Sequence, residues 1–227
     1  MKSIIYNNYK IFIPERYYIK PLLTRFNNNK YEYYEALFVK EICTKNDYVL
    51  EIGSGLGYIT ALLACLCNHV ISVEANPELD MCRSLTIEAN HLENITQING
   101  YVSNSKDSVV FKTYDLLVAG SADRKDNAGS WKKTEKEYIL ECIKTNDIPN
   151  ISMVNTLIMD CEGAELEFLL DNQPLLEQCN KIFIELHESM MFRGFGRKCL
   201  NILKANNFTV KKNHKNQFIY LTKNANR

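Results

Sequence analysis

The sequence predicts an α/β fold in which helices cover both faces of a doubly wound, mostly parallel sheet of seven strands. Three observations lead to this prediction. From residue 48 onward, short apolar runs alternate with segments of helical period, which is the pattern of strand–helix–strand units. The first apolar run ends in closely spaced glycines, as expected where a buried strand turns into a helix. The last two β-rich runs, Phe208–Lys212 and Gln217–Thr222, have no helix between them and predict an antiparallel pair at the C-terminal end.

The N-terminal residues 1–45 are interpreted as a segment that caps the ligand pocket. Lys10–Ile13 predicts a small strand, and Tyr17–Phe26 predicts a short helix. A polar break at Asn27–Lys30 then separates this helix from a longer one predicted at Tyr31–Thr44, where apolar residues recur at helical spacing.

The remaining elements follow one another without a linker or an internal repeat, so residues 1–227 are interpreted as a single domain. The predicted strands are residues 48–52, residues 69–74, Ile95–Val102, Ser108–Lys112, Thr156–Met159 and Lys181–Glu185. The predicted helices are Ile59–Cys67, Glu78–Asn90, Ala164–Leu170 and Phe195–Asn206.

Residues 103–155 depart from this alternation and are interpreted as an insertion on the acceptor side of the pocket. Within them, Ala119–Lys133 is long and polar, which is typical of a functional loop. Trp131 is the only tryptophan of the chain, and it suits either stacking on a sugar or anchoring of the loop to the core. The acceptor-binding residues assigned to this segment are Ser121, Asp123, Arg124 and Trp131.

The composition excludes several classes of protein. Lys and Arg total 27 and Asp and Glu total 27, so no overall field favours nucleic acid or an anionic membrane. No apolar run reaches the length of a membrane span, and the N-terminus lacks the features of a signal peptide. The eight cysteines form no C-x-x-C pair, which disfavours a zinc site and indicates reduced thiols in a cytoplasmic protein.

The glycine turn after the first strand indicates which ligand the sheet binds. The chain reads Glu51-Ile52-Gly53-Ser54-Gly55-Leu56-Gly57, which is G-x-G-x-G and not the G-x-G-x-x-G of a dinucleotide site. It resembles motif I of the class I methyltransferases that use S-adenosylmethionine. The resemblance implies that the acidic residue lies near the amino acid end of the cofactor and that the glycines pass under its sugar. The cofactor-binding residues assigned here are Glu51, Gly53, Ser54, Gly55, Gly57 and Tyr58.

Glu74 ends the second predicted strand, about 20 residues after the glycine turn. An acidic residue at this distance can accept hydrogen bonds from ribose hydroxyls, although a solvated loop carboxylate is the alternative. The ribose role is favoured because motif I lies upstream. Ala75 and Asn76, which follow directly, are assigned to the same site.

A second group of ionisable residues follows two later strands. Asp160 and Glu162 come directly after the strand at Thr156–Met159, and Glu185 and His187 lie at the end of the next strand. Ligands of open α/β sheets bind at the carboxyl ends of strands, so these four side chains are expected to converge. Glu162 is also at the start of a helix, where the dipole favours a carboxylate, and His187 suits either a base or a structural role.

Together these motifs resemble the FkbM-type methyltransferases. That family pairs motif I with a D-x-E-G-x-E stretch, here Asp160–Glu165, and with a later acidic residue and histidine, here Glu185 and His187. Tyr31 and Glu32 resemble the tyrosine–glutamate pair that precedes motif I. The resemblance covers roughly Tyr31 to Leu221, and it departs at Glu51 and Ser54, where many members have Asp and Ala. It implies a Rossmann-like fold and S-adenosylmethionine as cofactor, with Tyr31, Glu32, Tyr101 and Asp160 added to the cofactor-binding set.

The expected function is therefore O-methylation. Family members often methylate hydroxyls of sugars and other glycosylated products, so a sugar or glycan is the expected acceptor, free or linked to a nucleotide or protein. Asp160, Glu162 and His187 are the catalytic candidates, with Glu185 and His187 also near the acceptor. The metal-free mode is favoured over a divalent metal held by Asp160 and Glu185 or His187, and no metal ligand is assigned. The alternative acceptors are a non-sugar small molecule and a nucleic acid, although the Asp/Asn-Pro-Pro-aromatic stretch usual in base methyltransferases is missing. A further alternative is a binding domain without catalytic activity.

Overall fold

The structure is a computed structural model that describes residues 1–114, 136–188 and 191–224. Its strands are β1 (Lys2–Tyr6), β2 (Tyr9–Ile13), β3 (Tyr48–Ile52), β4 (His69–Glu74), β5 (Ile95–Asn99), β6 (Tyr101–Val102), β7 (Ser108–Thr113), β8 (Lys136–Ile143), β9 (Thr156–Met159), β10 (Lys181–Glu185), β11 (Phe208–His214) and β12 (Phe218–Lys223). Its α-helices are α1 (Lys20–Asn27), α2 (Tyr33–Ile42), α3 (Tyr58–Leu66), α4 (Asp80–Ala89), α5 (Glu165–Asp171), α6 (Gln173–Gln178) and α7 (Phe195–Ala205).

Within these residues, seven strands form a central sheet in the order β11-β12-β10-β9-β3-β4-β5. The five strands from β10 to β5 are parallel to one another, and β12 pairs antiparallel with both β10 and β11. The strand order reverses direction between β3 and β9, so a crevice forms where their carboxyl ends diverge. The structure confirms the predicted doubly wound α/β fold with its antiparallel C-terminal pair.

Two apolar cores, one on each face of the central sheet, explain why the strands read as continuous apolar runs. Adjacent strand residues alternate between them, because Val49 packs into one core and Leu50 into the other. Helices α2 and α3 cover the first face, for example through Phe38, and α5, α6 and α7 cover the second.

An N-terminal hairpin of β1 and β2 packs against α4, and the sequence prediction includes only its second strand. Asn7 and Asn8 adopt φ values of 46° and 72°, which suits a two-residue hairpin turn. Thr86 of α4 accepts a hydrogen bond from the backbone N–H of Phe12 at 3.1 Å. The hairpin therefore closes over the helix that follows β4.

The predicted strand Ile95–Val102 requires correction. It is interrupted at Gly100, so that β5 stays in the central sheet while β6 leaves it and pairs parallel with β8. In the described part of the chain, β6, β8 and β7 form a smaller three-stranded unit, here called the side sheet. β8 is absent from the sequence prediction, because its partly exposed residues lie in the polar insertion.

The helices differ from the prediction mainly at their ends. α2 begins at Tyr33 because Glu32 adopts a left-handed conformation with a φ of 45°. The helix predicted at Tyr17–Phe26 divides into a 3-10 turn at Glu15–Tyr17 and helix α1. A 3-10 turn likewise precedes α4, and α6 is absent from the prediction. None of the helices in the described ranges has the length and hydropathy needed to cross a bilayer.

Candidate functional site

A cleft opens at the carboxyl ends of β3, β4 and β9, where the fold predicts a ligand site. The volume of this cleft is about 940 Å³, including a part that is open to solvent. Its floor is formed by residues that follow the three strands, and its sides by the N-terminal segment and the side sheet. The residues that line it include Tyr31, Glu32, Gly53, Gly55, Glu74, Ala75, Asn76, Tyr101, Phe111, Asp160 and Glu162.

The glycine turn can adopt its path only because Gly53 lacks a side chain. Gly53 has a φ of +87°, and a Cβ atom there would lie 1.7 Å from the carbonyl oxygen of Asp160. The carbonyl oxygen of Val73 accepts hydrogen bonds from the N–H groups of Gly53 at 3.0 Å and Ser54 at 3.1 Å. The turn thus brings motif I into direct contact with the end of β9.

Glu74 supports this turn as well as lining the cleft. One carboxylate oxygen accepts a hydrogen bond from the Gly55 N–H at 2.8 Å, and the other accepts from the Asn76 N–H at 2.8 Å. Burial raises the pKa of Glu74, although the charge of Arg83 and these backbone bonds oppose the increase. The sequence predicts Glu74 only as a ligand-binding residue, and the hydrogen bonds by which it stabilises the glycine turn were not expected.

Glu51 lies behind the cleft wall and belongs to a buried polar network. Thr60 donates a hydrogen bond to its carboxylate at 2.5 Å, and the Thr60 hydroxyl lies 3.0 Å from that of Ser72. Arg83 donates to the Ser72 carbonyl at 2.8 Å and is itself buried. Burial raises the pKa of Glu51 to about 7. The sequence analysis missed Arg83, which is buried on α4 together with Cys82 and Thr86.

Ser54, Gly57 and Tyr58, the other residues assigned to motif I, do not line the cleft. Ser54 lines a smaller neighbouring cavity, together with Glu51 and Glu35, and Gly57 precedes α3 with a φ of +83°. The ring of Tyr58 packs edge-on against an N-terminal tyrosine, and its hydroxyl accepts a hydrogen bond from Asn7 at 2.8 Å. These side chains hold the cap segment and the glycine turn together.

The structure brings Asp160, Glu162, Glu185 and His187 together at the edge of the cleft. The Nε2 atom of His187 lies 3.5 Å from Asp160 Oδ1, 3.6 Å from Glu162 Oε2 and 3.6 Å from Glu185 Oε1. Glu162 reaches this position from a left-handed backbone conformation with a φ of 52°. The convergence expected from the strand order is therefore present, and these four residues are called the acidic cluster below.

Glu165 orients His187 from inside the protein. Its side chain is fully buried, and its Oε1 atom lies 2.7 Å from His187 Nδ1. Burial would lower the pKa of His187, but the hydrogen bond to Glu165 and the charges of Glu162 and Glu185 raise it to about 9. The sequence signal for Glu165 was its place as the last acidic residue of D-x-E-G-x-E.

Burial and mutual repulsion raise the pKa values of several carboxyl groups in and beside the acidic cluster. Burial, followed by the charges of Glu185 and Glu162, raises the pKa of Asp160 well above its ordinary value. Burial and Glu35 raise the pKa of Glu185 to about 8, against the opposing charge of His187. Burial and Glu35 likewise raise the pKa of Glu32. Glu35 had no role in the sequence interpretation.

The residues of the cleft fit S-adenosylmethionine, the cofactor expected from motif I. Asp160 Oδ1 and Glu32 Oε2 are buried at the cleft and have no hydrogen-bond partner in the described residues. Carboxylate oxygens of this kind suit a ligand that carries an ammonium and a sulfonium charge. Leu79, Val102 and Phe111 supply apolar lining for a flat base. The acceptor residues predicted at Ser121, Asp123, Arg124 and Trp131 lie outside the described residues.

Comparison with known proteins places the chain in a family. The model of the methyltransferase FkbM domain matches residues 52–218, which is more than half of the chain. A protein-L-isoaspartate O-methyltransferase of Myxococcus xanthus is 42% identical over 65 residues, 28% of this chain and 31% of that protein. A probable cobalt-precorrin-6B C(15)-methyltransferase of Methanobrevibacter smithii is 28% identical over 124 residues, 54% of this chain and 60% of that protein.

The fold is similar to that of solved methyltransferases. The crystal structure of the M. jannaschii tRNA m1G37 methyltransferase superposes with a TM-score of 0.53 at 13% identity, over 99% of this chain and 57% of that one. The chain thus spans less than two thirds of the length of the two curated relatives and of the tRNA methyltransferase. Because the family model extends from motif I to the last strand of the central sheet, the chain belongs to the FkbM family of S-adenosylmethionine-dependent methyltransferases.

Proposed function

We propose that the chain transfers a methyl group to a hydroxyl of a sugar or glycan. The observation that carries this proposal is the acidic cluster beside the glycine turn, because a hydroxyl needs help in losing its proton before it can be methylated. Bound S-adenosylmethionine supplies the electrophilic methyl group. The protein's part is to align the acceptor oxygen with that methyl and to remove the hydroxyl proton.

Asp160 and Glu162 are assigned to the acceptor hydroxyl. Both line the cleft, and Asp160 Oδ1 has no hydrogen-bond partner among the described residues. The carbonyl oxygen of Asp160 is also the atom against which Gly53 packs, so β9 delivers this side chain directly to the edge of the cofactor cleft. In this assignment the two carboxylates orient the hydroxyl and accept its proton, while His187, held by Glu165, keeps them in place.

A neutral polyhydroxyl acceptor matches the charge of the site better than a polyanion. Glu32, Asp160 and Glu162 line the cleft and Glu185 lies beside them, and in the described part of the chain Asp160 and Glu185 form ion pairs with His187 alone. None of the described residues that line the cleft is Lys or Arg, so phosphate groups would find no cationic partner there, and any ionised carboxylate would repel them. Carboxylates are, in contrast, good acceptors for sugar hydroxyls, and these considerations support a glycan over a nucleic acid.

The test is methyl transfer to a defined panel. The chain is incubated with S-adenosylmethionine and monosaccharides, nucleotide sugars, glycopeptides, non-sugar alcohols and tRNA, and S-adenosylhomocysteine formation is followed by mass spectrometry. We expect turnover with a sugar-containing acceptor and a methyl ether in the product by NMR. Methylation of tRNA or of a nitrogen or carbon atom, without any methyl ether, would contradict the proposal.

A variant tests the role of Asp160. A general base contributes typically 10²–10⁴-fold, so Asp160→Asn should lower kcat by about that factor. Glu188→Gln is the matched control, because Glu188 follows His187 but accepts a hydrogen bond from the Gly194 N–H at 2.9 Å, outside the acidic cluster. Wild-type turnover in Asp160→Asn would remove this residue from the reaction.

A further inference from the structure

We infer that Asp160, Glu185 and His187 form a binding site for one divalent transition-metal ion, for which Mn²⁺ is the probe. This inference rests on the proposed function, since the ion would bind the acceptor oxygen. Each of the three residues offers one ligand atom, and these atoms all lie within 4.8 Å of one another. The sequence alone favours a metal-free mode, because it shows no dense set of carboxylates of the kind that Mg²⁺ prefers.

The spacing of the donor atoms suits a shared ion. His187 Nε2 lies 3.5 Å from Asp160 Oδ1 and 3.6 Å from Glu185 Oε1, which exceeds an ordinary hydrogen-bond length. Donors that bind one ion at about 2.0–2.2 Å lie roughly 3–3.5 Å apart. Only small movements would therefore place an ion between them.

A second observation points to a ligand. The side chain of His187 is only 8% exposed, so its Nε2 atom is directed into the cluster without a hydrogen bond of ordinary length. Its Nδ1 atom is held by the fully buried carboxylate of Glu165 at 2.7 Å. When an ion binds, the Nε2 proton of His187 is released, and this carboxylate–histidine pair keeps the remaining proton on Nδ1 so that Nε2 offers its lone pair, as behind many metal-bound histidines.

The remaining ligands are positioned in the same way. Gln217 donates a hydrogen bond to Glu185 Oε1 at 2.7 Å, and Glu35 also hydrogen-bonds to this carboxyl group, so two neighbours fix its position. Asp160 is half-buried and lines the cleft, so the open coordination positions would face the acceptor. One imidazole and two carboxylates are a donor set for Mn²⁺, Fe²⁺ or Zn²⁺ more than for Mg²⁺ or Ca²⁺, which prefer oxygen alone.

The ion would act as a Lewis acid on the acceptor. Binding to a cation lowers the pKa of a hydroxyl. With the ion bound, Asp160 orients the hydroxyl through the ion, and the proton passes to Glu162 alone, the carboxylate of the cluster that is not among the three ligands. The acceptor oxygen forms a bond to the methyl carbon as the carbon–sulfur bond breaks, and the electron pair of that bond remains on sulfur. Charge and atoms balance without any further reactant.

The experiment measures metal binding apart from turnover. The chain is freed of metal with EDTA, and Mn²⁺ is titrated while electron paramagnetic resonance reports free Mn²⁺ and calorimetry the stoichiometry. We expect one Mn²⁺ per chain. Asp160→Asn, Glu185→Gln and His187→Gln should abolish this site, and Glu165→Gln should weaken Mn²⁺ binding about 10–100-fold. Glu188→Gln should bind as the wild type does, and a thermal scan checks that each variant is folded.

The outcomes separate the two proposals. The metal site is overturned if the wild-type chain binds no stoichiometric Mn²⁺. It is also overturned if Asp160→Asn and His187→Gln bind Mn²⁺ as tightly as the wild-type chain does. Hydroxyl methylation at an unchanged rate in the EDTA-treated chain also overturns it, and leaves the proposed O-methylation standing. Stoichiometric Mn²⁺ binding that is lost in the ligand variants supports the site, even if no hydroxyl acceptor is methylated.

Discussion

Glu74 shows at the scale of one residue how a side chain can build a site and line it at once. Its two oxygens accept hydrogen bonds from the N–H groups of Gly55 and Asn76, so the carboxylate joins the glycine turn to the end of β4. Glu51 and Glu165 are also buried carboxylates, but Glu51 accepts a hydrogen bond from Thr60 and Glu165 contacts His187, so neither is directed into the cleft. The role of each acid is set by its neighbours.

Replacing Glu74 should therefore weaken cofactor binding. Glu74→Ala removes both the backbone contacts and the proposed ribose contact, and we expect a loss of about 1–3 kcal/mol in S-adenosylhomocysteine affinity by calorimetry. Glu74→Gln keeps one acceptor oxygen and should lose less. Equal affinity in Glu74→Ala and the wild type would show that the cofactor does not depend on this side chain.

Two glycines of the turn should respond differently to the same substitution. A Cβ at Gly53 would lie 1.7 Å from a backbone oxygen, whereas the nearest atom to a Cβ at Gly55 is 3.5 Å away, on the Glu32 side chain. Gly55→Ala should cost about 1–2 kcal/mol of stability, the strain of a left-handed conformation. Gly53→Ala should cost clearly more, as measured by denaturant unfolding. Similar losses in both variants would contradict this account.

At the scale of elements, Glu78 connects three parts of the chain that surround the cleft. Arg16 and Tyr17 of the N-terminal segment and Lys136 and Tyr138 of β8 all donate to its carboxylate, at distances of 2.5–2.8 Å. Partial burial would raise the pKa of Glu78, but these hydrogen bonds and the charge of Arg16 lower it to about 2. The side sheet is thus connected to the cap segment through this carboxylate, and Arg16 also donates a hydrogen bond to Thr113 of β7 at 3.2 Å.

The sign of the pKa change predicts how this link depends on pH. A carboxyl whose folded-state pKa is lowered stabilises the fold above its unfolded-state pKa, here 4.5, and this contribution is lost as the pH falls towards about 2. Glu78→Gln should therefore lower the Tm at pH 7, with a difference that shrinks between pH 4.5 and pH 2. Glu15→Gln, an exposed carboxylate of the same segment, is the control. A difference that does not change with pH would contradict the assignment.

At the scale of the whole molecule, the cleft is bounded by parts that are distant in the sequence. The central sheet supplies the floor, the cap segment supplies Tyr31 and Glu32, and the side sheet supplies Tyr101 and Phe111. A ligand that contacts all three should stabilise the native state as a unit, because it binds the folded chain and not the unfolded one.

S-adenosylhomocysteine should therefore raise the Tm of the chain. At a concentration of 100 times its Kd, the added stability is about 2.7 kcal/mol. Differential scanning fluorimetry at increasing ligand concentration measures the change, and Glu74→Ala should need more ligand for the same increase. A stabilising effect of NAD in the absence of any effect of S-adenosylhomocysteine would contradict the cofactor assignment.

The sequence by itself determined the parallel strands of the central sheet, the glycine turn and the convergence of Asp160, Glu162, Glu185 and His187. These features depend on local pattern, since apolar runs mark buried strands and parallel strands end at the same edge of a sheet. The antiparallel C-terminal pair followed from two β-rich runs without a helix between them.

Only the tertiary structure decided the features that depend on contacts between distant residues. The break at Gly100, the side sheet formed by β8, the pairing of Glu165 with His187 and the burial of Arg83 leave little or no periodic signal in the sequence. The distances within the acidic cluster also come only from the tertiary structure, and the proposed metal site depends on them. A buried polar group is satisfied by whichever partner the packed fold brings near, and sequence spacing carries no information about that distance.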